Sequence, residues 1–126
     1  MSYSIQHQPE DNLIWVNIEG ETNISELRNA AAEIARTARQ AYCFRILTDL
    51  RQATLNVSTM DIHSLPGKVE ESIAAQGFNL YSFKRAFVVA QDQKILEFYE
   101  TVSSNQGHNT VMFRDVERAR NWLKGK

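Results

Sequence analysis

The chain has 126 residues, 43% of them apolar and 23% charged, a balance that buries a core and excludes a disordered chain. Lys and Arg number 14 against 15 Asp and Glu, a formal charge of −1, which excludes the basic footprint of a nucleic-acid-binding domain. The single cysteine excludes an intramolecular disulfide and a cysteine-based zinc site, and no apolar run nears the roughly 18–20 residues of a membrane span.

The length suits one domain over residues 1–126. The first residues lack the basic stretch and apolar core of a secretory signal, so the expected location is the cytoplasm. Tyr3, Ile5 and His7 alternate with Ser4, Gln6 and Gln8, and a second apolar stretch runs from Leu13 to Glu19 and closes at Gly20. Both predict strands. The turn-rich link 9–12 is too short for a parallel return, so the two strands form an antiparallel hairpin. Ile24, Leu27, Ala31, Ile34 and Ala38 recur every three or four residues, one face of a helix with Asn23 or Ser25 as its cap. Residues 43–50 are almost continuously apolar, the pattern of a strand covered on both faces, and a polar connector follows over 51–57.

Ile62, Leu65, Val69 and Ile73 again have helical spacing, but Pro66 and Gly67 cut across it. The expectation is a short helical turn from Ser58, a break, and a main helix from Leu65, with Ser64 as a second cap and Gly77 as the stop. Residues 84–91 are the most hydrophobic strand and therefore interior to the sheet. Asp92 is placed to cap the next helix, which carries Ile95, Phe98, Tyr99 and Val102 on one face and ends at Gly107. Residues 110–114 predict a short strand, and Asp115 caps a last helix with Val116, Ala119 and Leu123 inward and Trp122 beside them. The order ββαβαβαβα predicts an α/β fold: a mixed, mostly parallel five-stranded sheet with an N-terminal antiparallel hairpin and four helices packed on it.

Two stretches within that order, Ile46-Leu-Thr-Asp-Leu-Arg and Val111-Met-Phe-Arg-Asp-Val-Glu-Arg-Ala-Arg-Asn-Trp-Leu, resemble the SpoIIAA-like superfamily, which includes STAS domains. The likeness covers nearly the whole chain by element order and these two stretches by motif. It implies helices mostly on one face of the sheet and a non-enzymatic regulatory module that binds a protein partner. In STAS proteins a Ser in an Asp-Ser-Ser-Gly motif, at the start of the helix after strand three, is phosphorylated by a partner kinase. The matching region here, residues 56–61, offers the hydroxyls of Ser58 and Thr59 but lacks the Gly and the preceding Asp. The chain looks closer to a stand-alone bacterial subgroup, for which fold analogy implies a different role, carriage of a small apolar or lipid-like ligand between helices and sheet.

The residues themselves leave several roles open. Ser58 with Asp61 makes a capping pattern, the first reading of these hydroxyls; Ser58 or Thr59 is also a phosphoacceptor candidate, because a phosphate at a helix start is favoured by the dipole. Asp49 near the end of its strand, with Arg51 two residues on, is either a local ion pair or part of a partner surface, since ligands gather at that sheet edge. Phe78, Tyr81 and Phe83 lie in a segment unusually apolar for a loop, with Phe98 and Tyr99 on the following helix. They either tuck into the core or line a ligand groove. His7, His63 and His108 have no metal-ligand spacing, and no nucleophile motif or glycine-rich phosphate loop appears, so neither catalysis, metal nor cofactor is expected. An enzyme would need His63 or His108 beside Asp49 or Asp92. Residues 114–126 carry five basic and two acidic side chains, read as a solvated helix face with weak capacity for an anionic partner. The first strand, at a sheet edge, suits pairing with a second copy into a homodimer.

Overall fold

The computed structural model describes residues 1–125. Strand β1 (Ser2–Gln8) pairs antiparallel with β2 (Leu13–Asn23), Tyr3 opposite Ile18. Asn12, at φ 50°, takes the left-handed turn position that asparagine tolerates. Then follow α1 (Ile24–Ala41), β3 (Arg45–Asn56), α2 (Thr59–Ala75), β4 (Lys84–Val88), α3 (Ile95–Asn105), β5 (Thr110–Phe113) and α4 (Val116–Leu123). The five-stranded sheet has the order β1-β2-β3-β4-β5, and every pair after the hairpin is parallel. Residues 43–50 and 84–91 thus contribute adjacent, parallel strands, with Ile46 opposite Arg85.

This sequential order explains where the helices lie. Three crossovers that step across a sheet in one direction, all with the favoured hand, deliver their helices to one face. The main buried cluster accordingly unites Ala35 and Ala38 of α1, Ile62, Val69 and Ile73 of α2 and Leu96 and Tyr99 of α3 with Ile14, Val16 and Ile46 of the sheet. Helix α4 follows the last strand, crosses nothing, and covers the opposite face, where Ala119 and Leu123 meet Leu13, Leu47, Ala86 and Val88. β2, β3 and β4 therefore bury alternate residues on both faces, which is why their sequences read as almost unbroken apolar runs. Arg120 and Lys124 hold α4 to the hairpin turn through Asp11, at 2.6 and 2.7 Å. Two cations of the basic C-terminal stretch are thus engaged in the fold; Lys126 lies outside the described residues.

Several sequence expectations need correction. β2 does not close at Gly20, which takes φ 82° within the strand; it runs on to Asn23 beside β3. β3 does not end at Leu50 but runs on to Asn56, through residues whose polarity suits a connector. Asn17 pairs with Asp49 but Glu19 pairs with Gln52, so β3 carries one extra residue, a β-bulge. The bulge inverts the alternation: Ile46 and Leu50 face the main core before it, Ala53 and Leu55 after it. A period-two reading breaks at such a point. Beyond the end of β4 the carbonyls of Leu50 and Ala53 are satisfied by Gln93 Nε2 at 2.7 and 2.8 Å.

Helix α2 is continuous and has no break before Leu65. Pro66 removes one helical hydrogen bond, but Ile62, Leu65, Pro66, Val69 and Ile73 are all buried along one stripe, and that packing outweighs the lost bond. Ser64 is inside the helix, its hydroxyl donating to the Asp61 carbonyl at 3.1 Å. Asp92 is exposed and does not cap α3, whose N-cap is Lys94 without a side-chain bond. Strands β4 and β5 stop at Val88 and Phe113, short of the expected ends. Asn23 is the cap of α1 and Asp115 that of α4.

Candidate functional site

The first turn of α2 is closed by a reciprocal pair of bonds. The Asp61 N–H donates to Ser58 Oγ at 3.0 Å, and the Ser58 N–H donates to Asp61 Oδ2 at 2.9 Å. This satisfies two of the donors that a helix start leaves open. Ser58, Thr59 and Met60 all face solvent, Met60 being 81% exposed. Two hydroxyls and an apolar side chain are therefore presented together at the positive end of a seventeen-residue helix.

Asp49 and Arg51 form a two-pronged ion pair across the β3 bulge. Arg51 Nε donates to Oδ1 at 3.0 Å, Nη2 to Oδ2 at 2.9 Å, and the Arg51 N–H to Oδ1 at 3.1 Å. Burial by itself would raise the Asp49 carboxyl, but the Arg51 guanidinium and backbone bonds prevail and hold it below the ordinary carboxylate value. The pair pins the extra residue of β3. It is far from Ser58: Asn56 is seven steps along the strand from Asp49, roughly 20 Å of chain. Among the described residues no hydrogen bond joins Asp49 or Arg51 to Ser58 or Thr59.

The five aromatic candidates are dispersed. Phe83 is buried and stacks edge-on against Phe44 with ring centres 5.2 Å apart, and Phe78 closes the same cluster. Tyr81 is exposed and packs against His108, with ring centres 5.5 Å apart. Phe98 packs half-buried at the rim of the main core. Tyr99 alone of the five lines a cavity of about 80 Å³ between α1, α2, α3 and the sheet. That cavity is walled by apolar side chains such as Ile34, Leu50, Leu65 and Leu96, with Thr48, Tyr99 and Arg85 as its polar members.

No protein-family model matches the chain, and no curated protein matches it. Solved structures do. The anti-sigma factor antagonist SpoIIAA in its unphosphorylated form superposes with a TM-score of 0.62 at 10% identity, over 99% of this chain and 100% of that one. The chain has the SpoIIAA-like fold. The Bacillus cell fate determinant SpoIIAA in its phosphorylated form gives a TM-score of 0.55, also at 10% identity, over 97% of this chain and 99% of the other.

Two buried polar residues of this SpoIIAA-like fold escaped sequence reading. Arg85 is inside an apolar strand, and its register partner Thr110 is buried with it. The only sequence signal was a cation in a strand otherwise fit for the interior. His108 reads as a turn residue after Gly107, yet its side chain is fully covered, with the Glu70 carboxylate 3.6 Å from Nε2 as its acidic neighbour. Neither Asp49 nor Asp92 fills that place. Among the described residues no cluster of three metal-ligating side chains occurs, and no helix is long and apolar enough to cross a membrane. Burial lowers the pKa of His108, the Arg85 charge lowers it further, and Glu70 opposes both.

A pH dependence follows. His108 binds its proton less readily in the fold than in the unfolded chain, so its contribution is complete above the ordinary value of 6.5 and is lost as pH falls below it. Asp49 has the same sign in a lower window: its contribution is present above 3.8 and is lost as pH falls further, through its depressed folded value. Urea unfolding between about pH 7 and 5 is expected to show falling stability in the native chain and a flatter profile in His108→Phe. Equal slopes in the two proteins would refute the assignment.

Proposed function

We propose that the chain works as a single non-enzymatic regulatory domain that binds a protein partner through the start of α2. The observation that supports this most is the exposed group Ser58, Thr59 and Met60 on a capped helix start, on a fold like that of an anti-sigma factor antagonist known in unphosphorylated and phosphorylated forms. A phosphate adds nearly two negative charges. On Ser58 it would meet the Asp61 carboxylate folded back against the same residue and would loosen the cap by repulsion. On Thr59, at the first helical position, it would meet the helix dipole without that neighbour. Thr59 is therefore the better acceptor of the two. Asp49 is buried, so of that pair only Arg51 offers a second, separate contact at the β3 bulge, available to the same partner only if its footprint is broad.

The test is a photo-crosslinking residue at position 60 in protein expressed in its own host, with a second at Tyr42, which is exposed at the far end of α1. A discrete partner crosslinked from 60 and not from 42, and lost in Thr59→Asp, is the expected result. Crosslinking from neither position, together with unmodified Ser58 and Thr59 by mass spectrometry, would sink the reading.

A further inference from the structure

A buried guanidinium stays charged, and a charge removed from water needs an opposite charge or dense hydrogen bonding. Arg85 is 6% exposed, and its partners are neutral. Nη1 donates to the Tyr99 hydroxyl and Nη2 to Thr110 Oγ1, both at 3.0 Å, and the rings of Phe87 and Tyr99 lie 5.7 and 5.9 Å from its Cζ. Among the described residues no carboxylate pairs with it. Glu70 lies 3.6 Å from His108 Nε2, and Glu100 accepts from the Met112 N–H at 2.5 Å. Arg85 lines the apolar cavity beneath α1 and α2.

We infer that this cavity is a binding site for a short-chain monocarboxylate, with Arg85 receiving the carboxylate and the aliphatic walls receiving the chain. The guanidinium has five N–H donors, two of which serve the hydroxyls, and its fork suits a carboxylate's two oxygens. Ile34, Leu50, Leu65 and Leu96 offer nothing to a polar tail. Size limits the ligand: an apolar cavity of about 150 Å³ takes the six heavy atoms of benzene, so about 80 Å³ takes about three or four, the size of acetate. The route in runs between α1 and α2. Ala31 and Val69 line both the cavity and an outer groove that carries Arg28, Lys68 and Glu71. Lys68 is 3.8 Å from Glu71, and Arg28 adds a second cation at the rim that draws an anion inward. The site is independent of the α2 start and stands or falls apart from the partner reading.

Calorimetric titration of the full chain with acetate, decanoate and acetamide tests it. Acetate is expected to saturate one site in the roughly millimolar range open to so small a ligand, with acetamide roughly tenfold weaker or worse. Arg85→Gln is expected to abolish the preference for the charged ligand. Should that variant fail to fold, Ala31→Leu, which fills the mouth, carries the test: it should melt as a folded protein and lose acetate. Equal binding of acetate and acetamide, tighter binding of decanoate, no saturation, or unchanged affinity in Ala31→Leu each overturn the assignment.

Discussion

Phe83→Ala is expected to lower the stability of the chain by about 3–5 kcal/mol. Phe83 is 1% exposed and anchors a group of edge-to-face rings, 5.2 Å from Phe44 and 6.5 Å from Phe78. Its removal takes away the transfer energy of a whole ring, leaves a void the strand cannot close, and cancels ring pairs worth about 0.5–1.5 kcal/mol each. Phe78→Ala, at the half-buried rim of the same cluster, should cost clearly less. Urea unfolding of both variants checks the order. A loss below about 1 kcal/mol for Phe83→Ala, the typical cost of an ordinary substitution, would mean that this cluster does not anchor the core.

Leu123→Asp should cost about 4 kcal/mol or more, the range reached when a charge is buried without a partner. Leu123 is fully buried against the sheet face opposite the other helices, with Leu13, Leu47, Ala86 and Val88. Its carboxylate would either enter that apolar layer or detach α4, and detachment bares the layer to solvent. Two readouts follow. The deficit against the native chain should shrink at about pH 4.5, where a carboxyl of raised pKa is protonated. Sedimentation should show self-association that grows with concentration, since an uncovered apolar face seeks cover. A variant as stable as the native chain would show that α4 does not shield this face.

The architecture was legible because each segment carries its own period. The hairpin, the stripe on α1, the presence and adjacency of β3 and β4, though not their ends, and the Asp115-capped α4 follow from spacing and turn chemistry. The failures share a cause: local rules yield where tertiary contacts supply what the sequence lacks. The bulge in β3 shifts the alternation by one residue, and nothing in the run 51–55 announces that its partner strand continues alongside. Pro66 reads as a break until its neighbours are seen to be buried in one stripe. The candidate sites were less legible still. Ser58 and its cap with Asp61 were readable because a cap is a four-residue event, but Arg85 and His108 acquire meaning only from residues of other elements, Tyr99, Thr110 and Glu70.

The unshuffled strand order bears on how the chain is made. Every ribbon lies next to its predecessor in the polypeptide, so no later piece must be threaded between two earlier ones. As the nascent chain leaves the ribosome, each new strand finds its edge already in place and docks onto it. Growth by accretion leaves the apolar flank of Leu13, Leu47, Ala86 and Val88 bare until α4 is in place. Helix α4 thus acts as a closing seal, and a product lacking it would be a sticky species that quality control can recognise.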